Sequence, residues 1–359
     1  MSPADIPPVV IVDNPKTNNI PVWKRPIIGV IAVILIILIG ACVYIMSALG
    51  PVDSSSSRNV RFVVTAGESA TDIAKSLHDN KLINDPFVFQ LYTQLTGKKS
   101  QLQAGGYILK KSYSLSEIVD HISSGKTDEV SVTILPGLTL EQLADPEVKG
   151  SLAQQGFTRD EITSAYSATY DSKLLEGISA NDSLEGYIYP ETYRMLASDT
   201  LTKIFQLSFD ELSELVDEQN ITAKLQQQGL SLRQGIILAS IVQKEVSDAS
   251  EQKQVAQVFH KRLKEGVVLG SDVTFMYIAE REGREPSVND PSPYNTRKNG
   301  GLPPGPISNF TFSALLAVAE PAPGDFMYFV AGDDGTTHFA KTQAEHESNV
   351  SKYCTTLCQ

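Results

Sequence analysis

No residue between Arg25 and Asp53 is charged, and the stretch from Ile27 to Leu49 is almost purely aliphatic. As a helix this stretch is long enough to cross ~30 Å of hydrocarbon. It is too long for the core of a typical signal peptide, and Ser47-Ala48-Leu49 is the nearest approach to a small-residue cleavage site. The reading is a retained membrane helix over residues 27–49. Trp23, Lys24 and Arg25 sit at its N-terminal edge, as an interfacial belt and a positive-inside flank do. Arg58 and Arg61 on the far side work against that rule. The expected orientation is N-terminus in the cytoplasm and everything after residue 50 outside.

The 359 residues leave room for two or three domains, and a 42% hydrophobic content says that most of the chain folds. The net charge of -12 argues against nucleic acid as a partner, because no basic stripe is available to track phosphates. It does not argue against a neutral glycan. Cys42 lies in the apolar stretch, and Cys354 and Cys358 end the chain, either paired or as free thiols. His338 and His346 are eight apart, which is not ligand spacing, so no metal and no other cofactor is expected.

Residues 1–26 carry six prolines and read as a disordered tail. Residues 50–59, with four consecutive serines from Ser54, read as a flexible linker. A small unit over 60–127 follows. Arg61-Phe62-Val63-Val64 is a strand, Ile73, Ala74 and Leu77 share a helix face, and Asn84-Asp85-Pro86 caps a second helix. Tyr107-Ile108-Leu109 closes a β-α-α-β order that resembles a LysM-like module, a small fold often associated with glycan binding. The rival reading is a packing subdomain without glycan affinity. Residues 128–359 read as a mixed α+β domain, so the chain as a whole is α+β. Within it, 150–230 is largely helical with an interruption from 182 to 194. Leu269 to Tyr277 is extended or turning, and Phe312 to Ala319 is a helix. A hairpin turns at Gly332-Asp333-Asp334-Gly335.

The chemistry concentrates in four segments. Ser231 and Gln234 form a capping box, after which Leu238, Ile241 and Val242 recur at helical spacing and place Glu245 on the apolar stripe. A lone acid on a buried face has a raised pKa, and a carboxyl protonated near neutral pH is what a general acid needs. A helix-end Glu that snorkels or pairs with a Lys gives the same pattern. In the second segment Tyr187 and Tyr189 alternate as on a strand stopped by Pro190, with Glu185 as a second acid. Phenol rings stack on sugars and bond their hydroxyls, although ordinary cores are also aromatic. The third and fourth are Gly270-Ser271-Asp272-Val273-Thr274 and Ser292-Pro293-Tyr294-Asn295-Thr296. Loops of this composition build polar clefts, or stand exposed as turns.

Together the segments EGYIYPETY, LASIVQKEV, VFHKRL, SDVTFMY, SPYNT, GLPPGPI and FMYFVAGDDGTTHFAKTQAEH resemble the endolytic murein transglycosylase family, the MltG-like or YceG-like proteins. The likeness runs from about Val130 to the C-terminus, and the anchor and LysM-like unit match that family's layout. It implies that Glu245, the acid of a Lys-Glu pair, is catalytic. Gln243 stands where the family often has Glu, and Tyr187-Ile188-Tyr189 where it carries larger aromatics.

The resemblance implies a peptidoglycan lytic transglycosylase of cell-wall synthesis, acting on nascent glycan strands beside the membrane. Glu245 protonates the oxygen linking N-acetylmuramic acid to N-acetylglucosamine, then takes the proton of the muramic C6 hydroxyl, leaving a 1,6-anhydro end. Glu185, Tyr187, Tyr189, Asp272, Thr274, Tyr294, Asn295 and Thr296 are the implied glycan contacts. Peptidoglycan synthases stay open as protein partners. A hydrolase giving reducing ends and a non-catalytic glycan-binding scaffold are the alternatives.

Overall fold

The computed structural model of the chain describes residues 25–176, 178 and 183–356, with side chains throughout except at 25–29 and 32. The expected tail therefore lies outside the described residues apart from Arg25 and Pro26. Two compact units emerge. The first comprises Met1–Asn59, Gly67–Gln103 and Leu109–Ser124, and the second Val60–Ala66, Ala104–Ile108 and Gly125–Gln359.

The first unit is helical. Helix α1 spans Arg25–Leu49, α2 Ala70–Asp79, α3 Pro86–Leu95 and α4 Leu115–Ser124. Ser69 caps α2 by accepting from the Asp72 amide, and Asp85 caps α3 by accepting from the Val88 amide. Pro86 costs nothing at the first helical position, where the missing N–H has no partner to lose. Ile73 and Leu77, Val88 and Phe89, and Ile118 and Ile122 line the buried faces. The large apolar side chains of α1 from Val30 to Met46 stand exposed. Among the described residues no helix is long and apolar enough to cross a membrane. In α1 the unbroken run of described side chains begins only at Val33, so the expected span of 27–49 reaches beyond it.

The segment expected to be a free linker is anchored instead. The Asp53 amide donates to the Lys111 carbonyl at 3.0 Å, and the Asp53 carboxylate accepts from the Ser55 amide and hydroxyl. Asn84 Nδ2 donates to the Gly50 carbonyl at 2.9 Å. Serine-rich sequence signals turn capacity as well as freedom, and here the turn wins.

The six strands among the described residues fall in the second unit, apart from Asn59 at the start of the first and Leu109–Lys110 at the end of the next. β1 (Asn59–Val64) pairs with β2 (Gly105–Lys110), in the chain order β1-α2-α3-β2. β3 (Glu129–Thr133) pairs antiparallel with β4 (Thr192–Leu196), Val132 facing Tyr193. The expected strand at Tyr187–Tyr189 is a turn. Gly186 adopts φ +80°, the Tyr187 amide donates back to the Leu184 carbonyl, and alternation starts only at Thr192, beyond Pro190. Two short helices, α5 (Leu140–Ala144) and α6 (Arg159–Tyr166), lie between β3 and β4. Then come α7 (Leu201–Glu218), α8 (Ile221–Gln227), α9 (Leu232–Glu245) and α10 (Ala249–Glu265). The segment read as extended or turning, Leu269 to Tyr277, is helical from Asp272 as α11 (Asp272–Arg281), begun by Ser271 in extended geometry. α12 (Phe312–Ala319), an antiparallel hairpin of β5 (Tyr328–Ala331) and β6 (Thr337–Ala340), and α13 (Gln343–Tyr353) complete the unit.

Helix α9 is its centre. The capping box of Ser231 and Gln234 is present. The helix is not amphipathic, however: every residue from Gly235 to Val242 is buried. A helix apolar on all sides must be enclosed, and α8, α10, α11 and α12 enclose it. A Cβ on Gly235 would stand 2.4 Å from Leu225 Cδ1, so glycine permits the close approach of α8. The helix stops at Val246, whose φ of -144° turns the chain extended directly after Glu245.

Leu238 is fully buried in this core. Leu238→Ala is expected to lower unfolding free energy by about 2–5 kcal/mol in a urea titration. A loss below about 1 kcal/mol would show that α9 is not the packed centre.

Candidate active site

Because α9 is buried almost to its end, its last residue emerges from the core into a cleft. Glu245 is partly exposed there, in a cleft of about 510 Å³ whose walls include Arg262, Asp272, Arg297, Tyr328 and His346. Burial pushes the Glu245 carboxyl above the ordinary carboxylate range. The Ser271 hydroxyl, donating to Oε1 at 2.5 Å, pulls the other way, the Asp272 charge adds to the rise, and Arg262 and Arg297 oppose it. The negative end of the α9 dipole also disfavours a carboxylate at this position.

Ser271 is the N-cap of α11, yet its side chain makes no cap hydrogen bond. The hydroxyl that would satisfy a free helix N–H points at Glu245 instead. A missing cap costs ~1 kcal/mol, and a rigid lattice beneath holds the arrangement. The Ser271 amide donates to Thr296 Oγ1 at 3.2 Å, Thr274 Oγ1 donates to the Ser271 carbonyl at 2.7 Å, and the Gly270 amide donates to the Thr296 carbonyl at 2.9 Å. Asn295 Nδ2 bonds the Val288 and Asp290 carbonyls, both at 2.9 Å.

This corrects the sequence reading at three positions. Thr274, Asn295 and Thr296 are at most 1% exposed and have no surface to offer a glycan. They fix the loop that aims Ser271. Asp272 does face the Glu245 cleft, where it is forked by Arg297 through Nε and through Nη2 at 3.0 Å.

Glu185 lies elsewhere. Its carboxylate accepts from the Leu140 amide through both oxygens at 3.2 Å and from the Tyr277 hydroxyl at 3.4 Å. It lines a separate pocket of about 200 Å³ with Ser183, Tyr277, Glu280 and Arg281. Burial, partly offset by those hydrogen bonds, pushes its pKa up to about 7. Tyr294 packs on Tyr277 with ring centres 5.3 Å apart. Tyr187 is 1% exposed, a core residue rather than a platform for sugar. Tyr189 is half-buried against the same core, its carbonyl accepting from the Tyr193 hydroxyl, and it borders neither pocket. α11 thus joins two acids, its N-terminus meeting Glu245 and Tyr277 meeting Glu185.

Sequence reasoning did not place Arg262, Arg297, Tyr328 or His346 at the site, and weighed His346 only as a metal ligand. Arg262 was open to the test applied to Glu245, since it follows buried Val255 and Phe259 by seven and three residues on α10. Arg297 comes from a distant loop, Tyr328 from the C-terminal hairpin and His346 from α13, and no local pattern marks them. Among the described residues no group of three or more His, Cys, Asp and Glu is placed to hold a metal ion.

Two outcomes follow from these environments. Ser271→Ala removes the bond that favours the Glu245 carboxylate, so a carbon-13 titration of that carboxyl should move upward. A downward or absent shift would contradict the assigned contact. For Glu185 the unfolded pKa is the ordinary 4.5 and the folded one about 7. Between those pH values the unfolded chain ionises while the folded carboxyl keeps its proton. Wild type should therefore lose stability as pH rises from about 4.5 to about 7, by at most ~1.4 kcal/mol per pH unit. Glu185→Gln should lack that component in urea titrations at pH 5 and pH 8, and an unchanged pH dependence would contradict it.

Residues 62–352 match the YceG-like family. A Bacillus subtilis protein named endolytic murein transglycosylase is 30% identical over 333 residues, which cover 89% of this chain and 91% of that one. A Streptococcus pneumoniae protein of the same name is 28% identical over 342 residues, 86% of this chain but only 61% of its own length. The crystal structure of a putative YceG-like protein from Listeria monocytogenes superposes with a TM-score of 0.53 at 28% identity, covering 81% of this chain and 98% of that one. The match to 62–352 takes in nearly all of the second unit and, of the first, the segments Gly67–Gln103 and Leu109–Ser124, and the chain belongs to the YceG-like family.

Proposed function

We propose that this protein is a membrane-anchored, endolytic peptidoglycan lytic transglycosylase with Glu245 as its acid and base. The observation that carries the reading is Glu245 itself: a partly exposed carboxyl with a raised pKa, emerging from a rigid core into a cleft. The relatives named endolytic murein transglycosylase support the same substrate.

In this reading the protonated Glu245 donates to the glycosidic oxygen between N-acetylmuramic acid and N-acetylglucosamine, and that C–O bond breaks. The substrate's own N-acetyl group supports the oxocarbenium-like centre. Glu245, now a carboxylate, takes the proton of the muramic C6 hydroxyl, whose oxygen closes on C1. The product is a 1,6-anhydro end, and no water is consumed. Ser271 stabilises the carboxylate as it forms, so the same bond that restrains the raised pKa assists the first half of the cycle, in which the proton leaves Glu245.

A hydrolase is the second reading, because Asp272 puts another carboxylate in the cleft and ordinary glycosidases use two. The Arg297 fork occupies that carboxylate, which favours the single-acid route. Residues 128–359 would form the catalytic domain and 60–127 the LysM-like module, whose strand–helix–helix–strand order supports that reading. The aliphatic helix α1 would be the anchor, with the N-terminus in the cytoplasm and the catalytic domain outside. That placement confines cutting to new strands near the membrane, where peptidoglycan synthases work.

Glu245→Gln should fold normally and lose about 10²–10⁴-fold in cleavage of purified glycan strands. Wild-type rate should fall as pH rises through the raised Glu245 pKa, since the acid must begin protonated. Mass analysis of wild-type digests should find internal cuts with anhydro ends. Reducing muramic ends would establish the hydrolase, and full activity in Glu245→Gln would remove Glu245 from the chemistry.

A further inference from the structure

The Glu245 cleft also holds polar groups that the reaction above does not use. Arg262 is largely enclosed. Its Nε donates to the Met327 carbonyl at 2.8 Å and its Nη1 to the Leu269 carbonyl at 2.5 Å. These bonds fix the guanidinium, yet among the described residues no carboxylate lies within salt-bridge distance of it, and Nη2 has no protein partner. Burial holds its pKa below the ordinary value, the mark of a cation whose desolvation is not compensated.

His346 lines the same cleft. The guanidinium lies 5.5 Å over the Tyr328 ring, and the His346 imidazole stacks on that ring at 5.3 Å with the planes 21° apart. Nδ1 of His346 is buried with no hydrogen-bond partner. A buried lone pair is less costly than a buried N–H, so the proton belongs on Nε2, which is not enclosed in this way. Burial and the Arg262 charge both lower the His346 pKa and keep the ring neutral. The wall therefore offers two unused donors, Arg262 Nη2–H and His346 Nε2–H, and one positive charge whose nearby acid, Glu245, makes no ion pair with it and holds its proton in the reading above. A fixed guanidinium outside any ion pair, with a free N–H turned to a cleft, suits the carboxylate of a ligand.

We infer that Arg262 and His346, stacked on Tyr328, form a carboxylate subsite beside Glu245. The inference rests on the glycan reading above and gives it a direction. In peptidoglycan the carboxylates belong to the muramyl residue, as its lactyl group, or to the stem peptide it carries; N-acetylglucosamine has none. The subsite thus identifies which sugar lies against this wall. Arg262 and His346 are positioning residues for that group, and Tyr328 sets their spacing.

Binding to full-length Glu245→Gln protein tests this without turnover, using three soluble probes. These are glycan strands with stem peptides, strands stripped of peptide to expose the lactyl carboxylate, and N-acetylglucosamine oligomers of equal length. At least one carboxylate-bearing strand should bind about tenfold more tightly than the oligomer, the effect of one charge-assisted contact. Whichever strand binds better names the carboxylate. Adding His346→Phe, which keeps the stack, or Arg262→Lys, which keeps the charge but loses the fork, should abolish that preference and leave oligomer binding unchanged. Thermal melts of both variants report that the fold is intact. Equal binding of all three probes, or a preference that survives both variants, overturns the subsite alone. Failure of every strand to bind overturns the subsite and the glycan reading together.

Discussion

The hydroxyl of Ser271 is the contact on which the cleft depends. It starts helix α11 without capping it, and its proton goes to Glu245. That choice is enforced from below by Thr274 and Thr296 and from behind by the buried helix α9. Neither half suffices alone. Without the enclosed α9 the acid has no fixed origin, and without the threonine lattice the donor has no fixed aim. The acid's raised pKa and its readiness to become a carboxylate come from one arrangement: enclosure favours the proton, and a single short bond limits how far.

The two carboxyls, Glu185 and Glu245, meet α11 at different points and occupy different environments. Glu185 is nearly sealed, held by a backbone amide and a tyrosine, in a pocket too small for more than a fragment of a sugar strand. Glu245 opens into the larger cleft with two arginines nearby. Proton donation to a bulky glycan fits the second setting. The first is better suited to locking the turn at Gly186, where an added Cβ would stand 2.3 Å from Pro306, to the rest of the unit.

What was legible in the sequence was local. The capping box of α9, the end of that helix at Glu245, the bounds of α12 and the closing hairpin follow from caps, periodicity and turn residues. The misread elements are those in which tertiary contacts override pattern. Tyr187 looked like half of an alternating strand but is a buried turn residue after a left-handed glycine. Ser271 and Asp272 looked like loop but start a helix whose cap is used elsewhere. Thr274, Asn295 and Thr296 have the composition of a binding loop because a buried polar lattice needs the same hydroxyls and amides. Arg297, Tyr328 and His346 reach the cleft from separate segments, and only folding brings them to Glu245.

The central claim is that Glu245 retains its proton well above the range of an ordinary carboxyl. The most direct test is the infrared titration of that one group, obtained as the difference between wild type and Glu245→Gln across pH. The account predicts a protonated carboxyl band that persists above the ordinary value of 4.5. A band that disappears at or below 4.5 would mean that the cleft holds a plain carboxylate, and Glu245 would then have no proton to donate.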